Sequence, residues 1–530
     1  MSAAPSQSYM PTMSTLAFVF LPLLAIATIA IHRLYFHPLA CYPGPRLAAV
    51  TSLYHAYYDL VKDGGGEFLS QLEKLHQVYG PVVRFGPNDL HFSDPKAYPD
   101  IYRTGAFIVK EPVSYGAFNV SDGSFGQTDL HQHRARREIL NPFFQRRATL
   151  QLEEKIQKDV HRIPLSPFIA HSSFTPNVPV NCYFAFRALT TDIIMSYTFG
   201  QTIGCLDASG FRHDLLVNIS TLNHLIWISR WIPIIPAILA RLPDALVLKL
   251  PSAQLRCNVE MRTMYARLIA SHTVALQDNT KAGTIFSALL SSDEDIADEN
   301  QHSVAYDKPR LIDDKQRSKK SLIDEAQVLT QAGGETVGQT CYVGIFHIIN
   351  DPRVQRTLLA ELMEAWPDKA HPPPLQDLER LPYLTACIKE ALRLALGVCS
   401  PLQRLALKDI RVGDWAVPAG TAVSMGVTFL HFNPEIFPDP MVFKPERWLG
   451  IEPEAHAILE DNMVSFSRGT RQCVGMGMAW VEMYMIFGHL IRRLDMKAHN
   501  TSVEDVTAIK DFFEPYFRGR TFHMVVKPRE

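Results

Sequence analysis

The segment Phe466-Ser467-Arg468-Gly469-Thr470-Arg471-Gln472-Cys473-Val474-Gly475 constrains this chain more than any other stretch. It fits F-x-x-G-x-R-x-C-x-G at every fixed position, a match that arises by chance in a chain this long with a probability on the order of 10⁻⁴. A single cysteine is ordinarily a small structural hydrophobe, and the pattern around Cys473 argues against that role. Glycines on both sides let backbone N–H groups approach the sulfur, which holds a thiolate and tunes its basicity. Such a thiolate can ligate haem iron axially. Arg471, two residues away, is then placed to pair with a haem propionate.

The rest of the chain sets the outer limits. Of 530 residues, 52 are basic and 54 acidic, a net charge of −2 that argues against a nucleic-acid binder. The 8 cysteines form no CxxC pair and are too few for a disulfide scaffold, which suits reduced cytosolic thiols. At roughly 150 residues per domain the length predicts three or four domains. Yet no repeat or low-complexity linker divides the chain between Pro43 and Glu530.

The N-terminus carries a membrane signal. Residues 1–31 hold no charge, and Leu16 to Ile31 is apolar except for Pro22 and Thr28. With its flanks this run approaches the roughly 20 residues that span a bilayer. No Lys or Arg precedes it, unlike a secretory peptide. Arg33 follows it, which leaves the body on the cytosolic side. The expectation is a single-pass anchor over 1–36, a Pro-rich hinge over 37–47 and one body over 48–530. Within that body, 293–320 is dense in both signs of charge and reads as a mobile loop without chemistry. His224–Leu250 is very apolar, but Pro233, Pro236 and Arg230 argue against a second span. Core and interfacial patch both remain open for it.

Helical periodicity dominates, over Phe68–Tyr79, Asp129–Phe144, Leu150–Arg162, Phe186–Thr198, Ser252–Gln277, Leu322–Ile349, Pro352–Glu364 and Val474–Leu494. Short strands are expected near Val82–Phe85, Ile410–Val412 and Thr421–Gly426. Gly333 and Gly334 should cost about 1 kcal/mol each inside a helix. Beside Glu335 and Thr336 they predict a locally opened helix, with the Thr336 hydroxyl bonded to a carbonyl one turn back. Glu390 and Arg393 lie three apart on one helical face. Neither a P-loop nor an H-E-x-x-H motif is present.

The Cys473 segment resembles the haem-binding signature of the cytochromes P-450, the haem-thiolate monooxygenases, and the chain agrees with that family from Pro43 onward. The resemblance implies a mostly α fold with a small β region, preceded by one N-terminal transmembrane helix. It makes Cys473 the axial ligand of haem b, with Phe466, Gly469, Arg471 and Gly475 shaping the cofactor loop. Arg137, Arg404 and His133 would meet the propionates; His133 stands where the family often has Trp. Glu335 and Thr336 become the acid–alcohol pair that delivers protons for oxygen activation. Glu390, Arg393 and Arg447 form the family's structural triad.

Too few residues follow Cys473 for a fused flavin reductase. Electrons from NADPH would therefore arrive through a separate NADPH–cytochrome P-450 reductase, with cytochrome b5 as a further donor, at the endoplasmic reticulum membrane. The runs Tyr79–Arg84, His133–Arg137 with Asn141–Phe144, and Gln331–Thr336 are similar to fungal enzymes of the trichodiene-oxygenase-like group. That similarity points to hydroxylation or epoxidation of an apolar terpenoid or related secondary metabolite. Val398, Cys399, Pro401, Leu402, Tyr115–Phe125 and part of 218–240 would face it. The rivals are a haem-thiolate isomerase or lyase, oxidation of a fatty acid, sterol or polyketide, and a non-catalytic haem-binding protein.

Overall fold

A computed structural model describes residues 13–103, 105, 107–150, 153, 179–277, 283–290 and 317–529. The fold is built around one helix, Lys319–Asn350. Val, Ile, Phe and Cys recur on all its faces, so it buries itself on every side. It packs against Cys182–Phe199, Ala253–Gln277, Pro382–Ala395 and Met476–Arg493, and these helices together hold the largest apolar core. Side-chain caps set two of the starts. Ser318 accepts from the Ser321 N–H, and Asn181 accepts from the Phe184 N–H, each worth about 1 kcal/mol. Gly200, left-handed at φ 71°, ends Cys182–Phe199.

The β structure is small and peripheral. Five strands run in the order Val82–Gly86, Asp89–Phe92, Ala422–Ser424, Arg404–Ala406 and Ile108–Lys110. His523–Pro528 lies between Val180–Asn181 and Leu494–His499, and Ile509–Phe512 forms a hairpin with Glu514–Phe517. In the larger sheet Lys110 stands directly opposite Arg404.

The helices expected over Phe68–Tyr79, Asp129–Phe144, Ser252–Gln277 and Pro352–Glu364 are present as Phe68–Tyr79, Leu130–Phe144, Ala253–Gln277 and Pro352–Ala365. The last one starts at Met476, because Cys473–Gly475 is a turn. The expected helix Leu150–Arg162 lies almost wholly outside the described residues, as does most of 293–320. Lys319 and Lys320 belong to the long helix and not to a loop. Lys320 bridges Asp122 at 2.7 Å and Asp324 at 2.9 Å, which ties the helix start to the body.

The 37–47 stretch also departs from expectation. Leu39 and Tyr42 are buried in the core of the larger sheet, and the Pro43 carbonyl accepts from the Arg84 N–H at 2.7 Å. A Cβ at Gly44 would lie 2.2 Å from the Arg84 carbonyl oxygen, so only glycine fits there. The segment is thus part of the body, because its apolar side chains find a core to enter. The N-terminal apolar run is helical over Met13–Ile31, and its side chains from Phe20 onward are mostly exposed. Among the described residues no helix is long and apolar enough to cross a membrane; the expected anchor begins outside them.

His224–Leu250 divides at Pro233. Ile226 and Trp227, late in the helix Asp214–Trp231, are buried against Ala117 and Phe512. Beyond Pro233, Ile234, Ile238 and Leu246 are exposed on two short helices.

Candidate active site

Cys473 lies between the tight turn Gly469–Arg471 and the N-terminus of Met476–Arg493. Gly469 has φ +74°, and a Cβ there would meet the backbone of Tyr102 and Arg103 at 2.7 Å, so both conformation and space demand glycine. The Cys473 N–H donates to the Phe466 carbonyl at 3.0 Å and closes the loop. Phe466 packs on the central core. Cys473 is exposed at the surface of the loop; desolvation by the surrounding protein pushes its thiol up, while the N–H groups of Gly475 and Met476 and the Arg137 charge pull the other way. Donors at a helix N-terminus aimed at sulfur are what a thiolate needs.

Four cations surround this loop on its sheet side. Arg137 donates to the Gln472 carbonyl at 3.2 Å, and Arg471 donates to the carbonyls of Gln127 and Thr128 at 2.8 and 3.2 Å. Arg404 reaches the Tyr115 hydroxyl at 2.6 Å, and Lys110 bonds the Phe125 carbonyl. No ion pair engages any of the four among the described residues, and the buried Arg471 Nε has no acceptor. Burial, then Arg471, Arg404 and Arg137, pushes the Lys110 ammonium well below its ordinary value. Burial and the neighbouring Arg404 lower Arg471 to about 10. Burial, with Arg471, Lys110 and Arg137, drives the His133 imidazole down to about 2. Like charges so placed repel one another unless an anion is shared among them.

On the long helix, the Thr336 hydroxyl donates to the Ala332 carbonyl at 2.8 Å, as expected. The neighbouring glycines have another cause than an opened helix. Added Cβ atoms at Gly333 and Gly334 would lie 2.6 Å from Ile194 and 2.4 Å from the Thr191 hydroxyl. They let Cys182–Phe199 press against an unbroken α-helix, and the Thr190 hydroxyl reaches the Gly334 carbonyl at 2.6 Å. Glu335 is buried and accepts from Arg187 Nε at 2.6 Å. Adjacent in sequence, Glu335 and Thr336 turn to different partners.

Comparison with known proteins agrees with this geometry. The family model "Cytochrome P450" matches residues 51–513. The chain belongs to the cytochrome P450 family. It is 33% identical over 515 residues to a tryptophan 6-hydroxylase of Fusarium equiseti, covering 96% of this chain and 95% of that one. It is 32% identical over 478 residues to the cytochrome P450 monooxygenase TRI4 of Fusarium sporotrichioides, covering 90% and 87%. A conidiogenone synthase of Penicillium rubens is 32% identical over 496 residues, covering 92% and 93%. The chain is a cytochrome P450 monooxygenase.

A haem-thiolate group suits the residues present in this P450. A dicarboxylate beside Cys473 would supply the anion that Lys110, Arg137, Arg404 and Arg471 lack, and the unpartnered Arg471 Nε is a donor for it. The buried Lys110 was not foreseen. A lone Lys on a three-residue strand carries no sequence signal, and only the pairing with Arg404 reveals it.

The structure also brings Glu390, Arg393 and Arg447 together. Arg393 holds both Glu390 oxygens at 2.9 Å, and Arg447 Nε lies 3.1 Å from Glu390 Oε1. Trp448 and the Lys444 N–H complete the carboxylate's partners at 3.0 and 2.9 Å. Burial works against the charge, but the two arginines hold the Glu390 carboxyl below its ordinary value.

A cavity gathers residues from three of the segments expected to face substrate, Tyr115 and Phe118, Trp227 and Arg230, and Pro401 and Leu402, with Ser114 and Ser400 beside them. Phe68, Phe85, Asp511 and Phe513 join them from elements that the sequence did not implicate. Cys399 instead is fully buried against the Phe513 carbonyl.

Proposed function

We propose that this P450 inserts one oxygen atom from O2 into an apolar small molecule of fungal secondary metabolism, by hydroxylation or epoxidation of a terpenoid or related skeleton. The observation that carries the reading is the unbalanced cation cluster around the Cys473 loop. Bound haem b supplies oxygen activation at its iron. Cys473 is its thiolate ligand, and Phe466, Gly469 and Gly475 shape the loop that presents the sulfur. Arg137, Arg404 and Arg471, with Lys110 and His133, hold the propionates. Thr336 positions a proton donor through the hydroxyl fixed on the Ala332 carbonyl, and Glu335 is the inner acid that replenishes it. Glu390, Arg393 and Arg447 keep the fold on the Cys473 side in place.

Electrons come from NADPH by way of the flavins of a separate reductase, with cytochrome b5 as a second donor. The exposed apolar side chains between Phe20 and Ile31 support a single membrane anchor over 1–36 in the endoplasmic reticulum, with the body over 48–530 facing the cytosol. The exposed face of 232–248 supports a further contact with lipid.

The terpenoid substrate rests on the similarity to the trichodiene-oxygenase-like group. An aromatic amino-acid derivative is the second reading. It is favoured by the aromatic walls of the cavity, by Arg230 and Gln403 bonded at 2.9 Å on its rim, and by the relative named for tryptophan 6-hydroxylation.

Co-expression with a reductase, isotopically labelled O2 and product analysis against terpene and tryptophan scaffolds tests both. One labelled oxygen in an NADPH-dependent product supports monooxygenation. Rearrangement of a fatty-acid hydroperoxide without NADPH would instead make the protein an isomerase.

A further inference from the structure

The cavity holds more hydrogen-bond donors than its own walls use. Most of its polar side chains are already paired. Asp59 accepts from Trp231 Nε1 at 2.7 Å and lies 3.1 Å from His55 Nε2. Asp511 accepts from the Phe513 N–H at 2.9 Å and from the Ser400 hydroxyl. Gln403 Oε1 accepts from Arg230 Nη2 at 2.9 Å and from the Ser114 hydroxyl.

Two donors remain. Ser424, the last residue of the strand Ala422–Ser424, is fully buried and lines the cavity, and its hydroxyl has no partner among the described residues. Arg230 lines the cavity too, and its buried Nε has no acceptor among them. Its guanidinium is held in place by Gln403 and by the Trp231 ring, 4.8 Å away. A buried donor left unpaired is costly, and an acceptor on a ligand removes that cost.

The charges say which acceptor. Beside the Arg230 guanidinium the cavity holds two buried carboxyls, Asp59 and Asp511. A third, Asp89, has its Oδ1 3.5 Å from Gln403 Nε2. An anion drawn to Arg230 would meet these carboxyls, so Arg230 lacks a hydrogen-bond partner and not a counter-charge. An ammonium ion would meet Arg230 itself. A carbonyl oxygen is neutral and has two lone pairs, enough to accept from both donors.

We propose that the substrate of this P450 carries a carbonyl oxygen, as a ketone, ester or amide, which accepts from Arg230 Nε and the Ser424 hydroxyl. These two residues select it against a bare hydrocarbon, which would leave both donors unpaired. The proposal rests on the reading of the protein as an oxygenase of an apolar skeleton and narrows its substrate class. Phe68, Phe85 and Trp227 receive the apolar part. None of the lining residues belongs to the helix Lys319–Asn350 that carries Thr336. The carbonyl is therefore the end of the substrate remote from the carbon that is oxidised.

The test is equilibrium dialysis of the full-length, haem-loaded protein against three probes of one shape: tetralin, 1-tetralone and tetralin-1-carboxylate. The ketone should bind about 10- to 100-fold tighter than the hydrocarbon, as a bond from a charged donor implies, and tighter than the carboxylate. Arg230→Met should reduce that preference to under about fivefold, what a neutral donor alone supplies. Ser424→Ala should reduce it by about fivefold. The thermal midpoint of Ser424→Ala should stay level or rise, because the hydroxyl has no protein partner to lose.

Thermal unfolding and the reduced CO spectrum identify a variant that has failed to fold, in which case Ser424→Ala carries the comparison. Equal affinity for tetralin and 1-tetralone, a preference that survives both substitutions, or tightest binding of the carboxylate would each overturn the proposal. The reading beneath it fails separately, when no NADPH-dependent product of any scaffold carries labelled oxygen, whatever the dialysis shows.

Discussion

Two charge clusters in this P450 are built on opposite plans. In the Glu390–Arg393–Arg447 cluster a carboxylate is gripped by two guanidiniums, and the remaining donors reach the carbonyls of His431, Pro438 and Val442. Everything it needs is inside the protein. In the Lys110–Arg137–Arg404–Arg471 cluster four cations face one another, two of them directly across a strand pair, with no carboxylate among the described residues paired to any of them. Like charges opposite one another destabilise a sheet. Breaking the first cluster should therefore destabilise the fold, whereas the second should cost stability until an anion arrives. Closure of the charge count separates a structural network from a binding site more sharply than burial does.

That contrast can be broken in order of effect. Arg393→Ala or Glu390→Ala strands a buried charge and should cost about 3–5 kcal/mol. The expected result is loss of folded protein, read as soluble yield and thermal midpoint; a drop under 1 kcal/mol would remove the structural role.

Arg471→Ala and Arg404→Ala should behave in the reverse sense. Haem affinity should fall by about 10- to 100-fold, the worth of a charge-assisted bond, while urea unfolding of the haem-free chain shows unchanged or increased stability. Destabilised haem-free protein in these variants would contradict the distinction.

Lys110→Met removes a buried charge at similar volume and should raise haem-free stability by about 1 kcal/mol. It should also weaken haem retention, measured by transfer to an apo-globin acceptor.

A further effect is on pH. His133 is held down to about 2 in the folded chain against an ordinary 6.5. Between those values the unfolded chain binds the proton and the folded one does not, so haem-free stability should fall as pH drops below about 6.5. His133→Asn should flatten that slope, and an identical slope in both proteins would remove His133 from the cluster.

How much of this was legible in the sequence follows from the range of each interaction. The Cys473 loop was readable because its glycines, arginine and cysteine stand at alternate positions of one short stretch and each is required locally. Helices of the Phe68–Tyr79 kind were readable because amphipathic period is a local property. Glu390 and Arg393 share one helical turn, and Arg447 was placed only through family resemblance. Lys110 and Arg187 were invisible, since each gains its meaning from a partner more than a hundred residues away. Gly333 and Gly334 were legible as unusual, but their cause lies in Ile194 and Thr191 of another helix. The 37–47 stretch looked like a hinge because two prolines break a helix, and nothing local says that Leu39 and Tyr42 reach a core.

The most direct test of the haem-thiolate site is the reduced CO-difference spectrum of the wild-type protein beside Cys473→Ala. A thiolate-type Soret band in the wild type that vanishes in the variant is the expected result. Its absence from the haem-loaded wild type, or its survival without Cys473, would contradict the assignment of the sulfur and of the cation cluster beside it.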